Sequence, residues 1–263
     1  MQHLTKGQRS MTYKTHLIGG AQAGVLLAYL NNGTPMESTL LIGASLLGSV
    51  LPDIDHPDSK LSKKDILAKA TSRSLQKVTV HRGFTHTIPG ALTFALFFLI
   101  LGLFRTGRES TFALLAMGVV FSLFFFMEKP LSKYAGIAAA ATYIAAPAIL
   151  DYATSQEIPV ARIPTDHRAA YYLAGGIFAG CIMHMIYDSF TKGGIAWLWP
   201  LSKKKFRIAR IKTNTRGEFG FRMLQLLVLV VMLAFLGKEK GVIEWISELF
   251  HQLTDIEAYV GLR

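Results

Sequence analysis

The sequence predicts an all-α fold: a polytopic membrane helix bundle of about six to seven hydrophobic segments, followed by a C-terminal amphipathic helix. Three observations predict it. Half of the 263 residues are apolar, and they collect in long uncharged runs instead of recurring at amphipathic spacing. A bilayer core needs roughly 20 apolar residues of helix, with about 17 as a lower limit, and several runs reach that length. The charge, +11 net, sits mostly in the short segments between the runs, and basic residues alternate in density from one such segment to the next.

Taken in chain order, the segments are Leu17–Leu30, Leu40–Leu51, Ile88–Phe104, Phe112–Met127, Tyr134–Leu150, Ala170–Phe190 and Met223–Leu236. The first two are short and glycine-rich. Asn31, Asn32, Gly33, Thr34 and Pro35 between them read as a turn, so the pair can be a helical hairpin packed inside the bundle instead of two full spans. Segments three, four and seven carry the cleanest apolar runs. The alanines from Ala138 to Ala141 in segment five suit close helix–helix contact in lipid. In the tail, Val242, Ile243, Trp245, Ile246, Leu249, Phe250, Leu253 and Ile256 fall on one helical face, the pattern of a helix lying at an interface or docked on the bundle. The domain division is therefore 1–236, membrane-embedded, and 237–263, the amphipathic helix.

The basic residues orient the chain. With the N-terminus inside and all seven segments crossing, three precede segment one and seven lie between Lys60 and Arg82. Lys129 and Lys133 follow, and nine lie between Lys192 and Arg222. Only seven of the 28 fall outside, the bias of the positive-inside rule. The expected location is thus a cytoplasmic membrane, with the N-terminus facing the cytoplasm. The Lys203–Arg216 stretch has the charge to meet DNA or anionic lipid, but a basic cytoplasmic loop accounts for it, and no nucleic-acid partner is expected. The start of the chain lacks the apolar core and small-residue cleavage site of a removable signal. The single cysteine, Cys181, excludes an intramolecular disulfide and a cysteine-based zinc site.

Four polar clusters interrupt the apolar pattern. His16 opens segment one. Segment two ends in Pro52-Asp53-Ile54-Asp55-His56-Pro57-Asp58. His81-Arg82-Gly83-Phe84-Thr85-His86-Thr87 precedes segment three, where Thr87 suits an N-cap and Pro89 the first turn. His184 and Asp188 lie inside segment six. Ionisable groups in such a helix are costly and face the interior or a cavity with a partner. Their i, i+4 spacing puts them on one face, as one metal, a ligand with its orienting carboxylate, or a hydrogen-bonded pair joining helices would require. Each cluster alone has a bland explanation, as an interfacial histidine, a helix end or a turn. Under the topology above, however, all four lie on the cytoplasmic side. Histidines and carboxylates there suit zinc, manganese or iron, as one ion or two, and the residues alone do not choose among the metals. The candidate ligands are His16, Asp53, Asp55, His81, His86, His184 and Asp188. Arg82 is the candidate phosphate-binding group, and Asp55 is a candidate catalytic carboxylate as well as a ligand. Cys181 reads as a packing residue.

The residues THLIGG, PDIDHPDS, HRGFTHT and the HxxxD helix followed by TKGGIAWLWP resemble the YdjM-like family of bacterial inner-membrane, metal-dependent hydrolases. The resemblance covers roughly residues 15–90 and 175–210. A fainter similarity runs to the zinc phospholipase C and P1 nuclease group, whose ligand order of His, Asp, His and His-x-x-x-Asp implies the same residues here. This chain departs from that group in having no N-terminal Trp ligand and no further His/His/Glu set. Together they imply a membrane-bound hydrolase cleaving a phosphoester in a lipid or lipid-linked substrate with metal-activated water at the cytoplasmic face. A metal or proton transporter and a non-catalytic membrane regulator are the alternatives.

Overall fold

The computed structural model describes residues 11–31, 33, 35–55, 65, 66, 69, 70, 83–104, 112–114, 116–118, 120, 131–155 and 167–239. Among them the chain is helical, with two isolated β-bridges and no strand. We number the helices α1 (Tyr13–Asn31), α2 (Pro35–Gly48), α3 (Ile88–Leu103), α4 (Ala135–Ser155), α5 (Arg168–Ser189) and α6 (Arg216–Glu239). Short 3₁₀ turns at Pro52–Asp55 and Phe84–His86 follow α2 and precede α3. The described residues of segment four are also helical. The C-terminal amphipathic helix expected over 237–263 lies outside the described residues, apart from the last turn of α6.

Helices α4, α5 and α6 contain stretches long and apolar enough to cross a membrane, at Ala135–Tyr152, Arg168–Ser189 and Arg216–Phe235, and α3 is apolar but shorter. The first two segments form the expected hairpin, α1 against α2, and both pack on α5. Helix α5 is the hub, because α3 packs on it too. The core around it contains Ala44, Leu51, Ala91, Leu173, Ile177, Cys181 and Met185. Cys181 packs there as a small buried residue, its thiol 3.3 Å from the Gly48 carbonyl.

Glycine sets the closeness of α2 and α5. A Cβ on Gly48 would collide with the Ile177 carbonyl oxygen, and one on Gly180 with the Ser45 carbonyl oxygen. Backbone therefore lies on backbone, the contact that small residues permit between helices in lipid. Helix α3 begins as the sequence predicts: the Thr87 side chain accepts from Gly90 N at 3.1 Å, and proline occupies the first turn. Helix α6 begins seven residues before segment seven. The apolar run breaks at the charged residues, but Glu218 in the first turn is buried and satisfied, so the helix continues through it. Along the rest of α6, Leu224, Leu227, Val231 and Phe235 are exposed, as a lipid-facing helix would be.

Candidate metal centre

Several helix ends meet at one end of the bundle. His16 lies in the first turn of α1, Asp53 in the 3₁₀ turn after α2, and His86 at the last position of the 3₁₀ turn before α3. His184 and Asp188 occupy the last turns of α5 on one face. All but Asp53 are fully buried, and the Asp53 side chain is 15 % exposed. The fold thus brings together His16, Asp53, His86, His184 and Asp188. His81 and Arg82, the other candidates, lie outside the described residues.

His184 Nδ1 is 2.7 Å from the Ser49 carbonyl oxygen. A carbonyl can only accept, so Nδ1 carries the hydrogen and Nε2 is left with its lone pair. That Nε2 is 3.3 Å from His86 Nε2 and 3.8 Å from Asp53 Oδ1, and His86 Nε2 is 3.5 Å from Asp53 Oδ1. A point equidistant from three atoms so separated is about 2 Å from each, the length of a zinc bond to imidazole or carboxylate. Asp53 Oδ1 is buried without a hydrogen-bond partner. A buried acceptor in that condition is costly unless an ion or another group meets it. The donor set and its spacing fit a divalent ion.

A second group adjoins the first. The His16 ring stacks on His184, with centroids 3.7 Å apart and planes 12° from parallel. Neither His16 ring nitrogen has a hydrogen-bond partner, and Nε2 is 3.4 Å from Asp188 Oδ1. Asp188 Oδ1 also accepts from Met11 N at 2.9 Å. His16, His184 and Asp188 can therefore hold an ion as well, but both groups draw on His184, which has one nitrogen to offer. Asp55 joins neither group. It sits behind His86, 3.8 Å from Nδ1, and accepts from Thr85 Oγ1 at 2.7 Å. Thr85 Oγ1 is in turn 3.1 Å from His86 Nδ1. Asp55, expected among the ligands, stands behind His86 and apart from the other candidate ligands, because the 3₁₀ turn points residues 53 and 55 in different directions.

The charges are mutually dependent. Burial would raise the Asp53 carboxyl, but the imidazoles of His184, His86 and His16 outweigh it and hold the group well below the usual carboxylate range. Burial disfavours charge on His86, yet Asp53, Asp55 and Asp188 outweigh it and raise the imidazole above its usual value.

Residue-by-residue reading of the sequence missed four supports. The Ser49 carbonyl left no signal, being backbone. Thr85 stood inside the HRGFTHT motif as a hydroxyl next to a histidine. Met11 N reaches Asp188 from the segment before α1. Glu218 accepts from Thr12 N at 2.6 Å, Thr15 Oγ1 at 2.9 Å and Asn214 N at 2.6 Å, fastening the chain ahead of His16 to α6. An acidic residue opening an apolar run was the available clue.

A family model described as YdjM inner membrane protein matches residues 11–249. The chain belongs to the YdjM inner membrane protein family. The match spans every segment of this YdjM-family chain that carries a candidate ligand. A curated relative from Bacillus subtilis (strain 168), named "Uncharacterized protein YvsG", is 37% identical over 79 residues, which cover 30% of this chain and 45% of the relative. The similarity thus spans less than half of that relative's length. No solved structure matches the chain.

Proposed function

We propose that this YdjM-family protein is a metal-dependent hydrolase of the inner membrane, cleaving a phosphoester in a lipid or lipid-linked substrate from the cytoplasmic side. The observation that carries the reading is the triangle of His86 Nε2, His184 Nε2 and Asp53 Oδ1, whose edges of 3.3 to 3.8 Å suit one divalent ion.

Asp53, His86 and His184 would hold the ion, with His16 and Asp188 alongside as further ligands or as the second site. Bound there, a divalent ion such as zinc lowers the pKa of a water from 15.7 toward about 7 and polarises a phosphoryl oxygen. The chain's own residues prepare the site. Ser49 fixes the His184 tautomer, Asp55 and Thr85 hold the His86 ring, and Met11 N steadies Asp188. The partly exposed Asp53 marks the edge from which a substrate would approach. Arg82, three residues from Thr85 in sequence, is the residue assigned to the phosphate because guanidinium can grip it bidentately. The lipid substrate is supported by the membrane-spanning helices and by the family's place in the inner membrane. The cytoplasmic orientation is supported by the distribution of basic residues.

Detergent-purified protein loaded with zinc and incubated with total bacterial lipid should release a phosphorylated or free headgroup, and the His184→Ala variant should release none. Headgroup release that His184→Ala leaves intact, or none from the zinc-loaded wild type, contradicts the reading.

A further inference from the structure

The chain between α5 and α6 carries a second feature, independent of the metal centre. Ile195 and Phe206 exchange backbone hydrogen bonds, N to O at 3.0 and 2.8 Å, closing a hairpin over residues 196–205. The hairpin is anchored to the bundle. Ile88 N donates to the Trp197 carbonyl at 2.9 Å, Trp197 Nε1 to Ser189 Oγ at 3.0 Å, and Ile208 N to the Ser189 carbonyl at 2.8 Å. Ile195 beneath it is buried. Its outer surface is apolar where a water-facing turn would be polar: Leu201 is 88% exposed, Phe206 56%, Leu198 51% and Ile208 50%. Lys203, Lys204, Lys205, Arg207 and Arg210 are exposed among these side chains, and from Phe190 to Gly217 the sequence has eight basic residues and no acidic one.

Both α5 and α6 are long and apolar enough to cross a membrane, so the segment between them lies at one membrane surface. Exposed apolar side chains on an anchored turn are stabilised by entering the interfacial layer, while neighbouring lysines and arginines meet headgroup phosphates. A nucleic acid would use the cations but would leave Leu198 and Leu201 without a partner. We propose that the 196–210 hairpin is a docking surface for anionic phospholipid, an apolar wedge with a cationic collar held beside the metal centre. Its fastening to Ile88 and Ser189, near His86 and next to Asp188, places the bound headgroups close to the ligand-bearing segments.

The test uses the full chain in lipid nanodiscs, in a Trp245→Phe background that leaves Trp197 and Trp199 as the tryptophans. Phosphatidylglycerol brominated near the headgroup should quench their fluorescence about twofold or more above phosphatidylcholine brominated at the same position and mole fraction. Substituting Lys203→Gln, Lys204→Gln and Lys205→Gln together should remove that preference, and Leu201→Ser should reduce quenching by both lipids. These positions are exposed, so the fold is preserved. Equal quenching of the wild type by the two lipids overturns the proposal, as does a preference that survives the triple substitution. Capture of duplex DNA by a hairpin lacking lipid preference overturns it in favour of nucleic acid. None of these outcomes depends on a bound metal or on hydrolysis.

Discussion

His184 is prepared by its surroundings at the level of single atoms. One ring nitrogen is committed to the Ser49 carbonyl, the ring face is covered by His16, and the other nitrogen points at His86 and Asp53. The i, i+4 spacing of His184 and Asp188 made the pair legible in sequence, since an apolar helix keeps ionisable groups only where they meet partners. The Ser49 carbonyl and the Met11 amide were not legible, because backbone groups carry no residue identity. Thr85 was legible only as a position in a motif. Thr85→Val keeps the shape but removes the hydroxyl that links Asp55 to His86. Zinc affinity, read by chelator competition, should fall about 10- to 100-fold, as when an orienting partner of a ligand is lost. Unchanged affinity would contradict the orienting role. The raised His86 imidazole gives a second prediction. In chelator-treated protein its contribution to stability is fully present below the ordinary imidazole value of 6.5 and is lost as pH rises through the raised folded value. Zinc binding needs the neutral ring, so affinity should fall about tenfold per pH unit for each proton displaced as pH drops below that value. Melting temperatures with chelator and with zinc should therefore slope in opposite directions with pH, and parallel slopes would contradict this assignment.

At the scale of helices, the site depends on how closely α2 approaches α5 and on what holds the chain ahead of α1. The glycine-rich character of the first two segments predicts a packed hairpin, and Gly20 and Gly24 let α1 approach α2; Gly48 on α2 and Gly180 on α5 in turn let the end of α2 bring Ser49 to His184. Helix existence was legible in the apolar runs, but boundaries were less so. The apolar run of segment seven starts after its charges, whereas α6 starts at Arg216 because Glu218 is buried with three donors. Pairing across more than two hundred residues has no local signature. Glu218→Ala should leave those donors unpaired and destabilise the protein by on the order of 1–3 kcal/mol, read as a lower melting temperature in detergent. Protease should then cut the segment around Met11 to Thr15 more readily. Glu218→Gln, which keeps one carbonyl oxygen, should be milder. A Glu218→Ala variant with wild-type melting and protection would contradict the role given to this contact.

For the whole molecule, the sequence pattern and the three-dimensional arrangement agree on convergence. Counting lysines and arginines placed the starts of segments one and three and the ends of segments two and six on one side of the membrane. In the structure the same ends bring candidate ligand atoms within 4.8 Å of one another, in two groups at one end of the bundle. Residues so distant in sequence share one place because their helix ends meet at one end of the bundle, and the fold class followed from length, charge distribution and turn residues. The arrangement of ligands around that site did not follow from them, since it depends on which way each 3₁₀ turn points its side chains, as Asp53 and Asp55 illustrate. Metal analysis of the purified full chain beside Asp53→Ala, His86→Ala and Asp188→Ala variants with wild-type melting behaviour decides whether this convergence is a metal centre. The wild type should carry about one divalent ion per chain, lost in Asp53→Ala and His86→Ala, or two if the adjoining group is also filled, one of which Asp188→Ala should lose. A wild type without stoichiometric metal, or Asp53→Ala and His86→Ala variants that retain as much as the wild type, would overturn the metal centre.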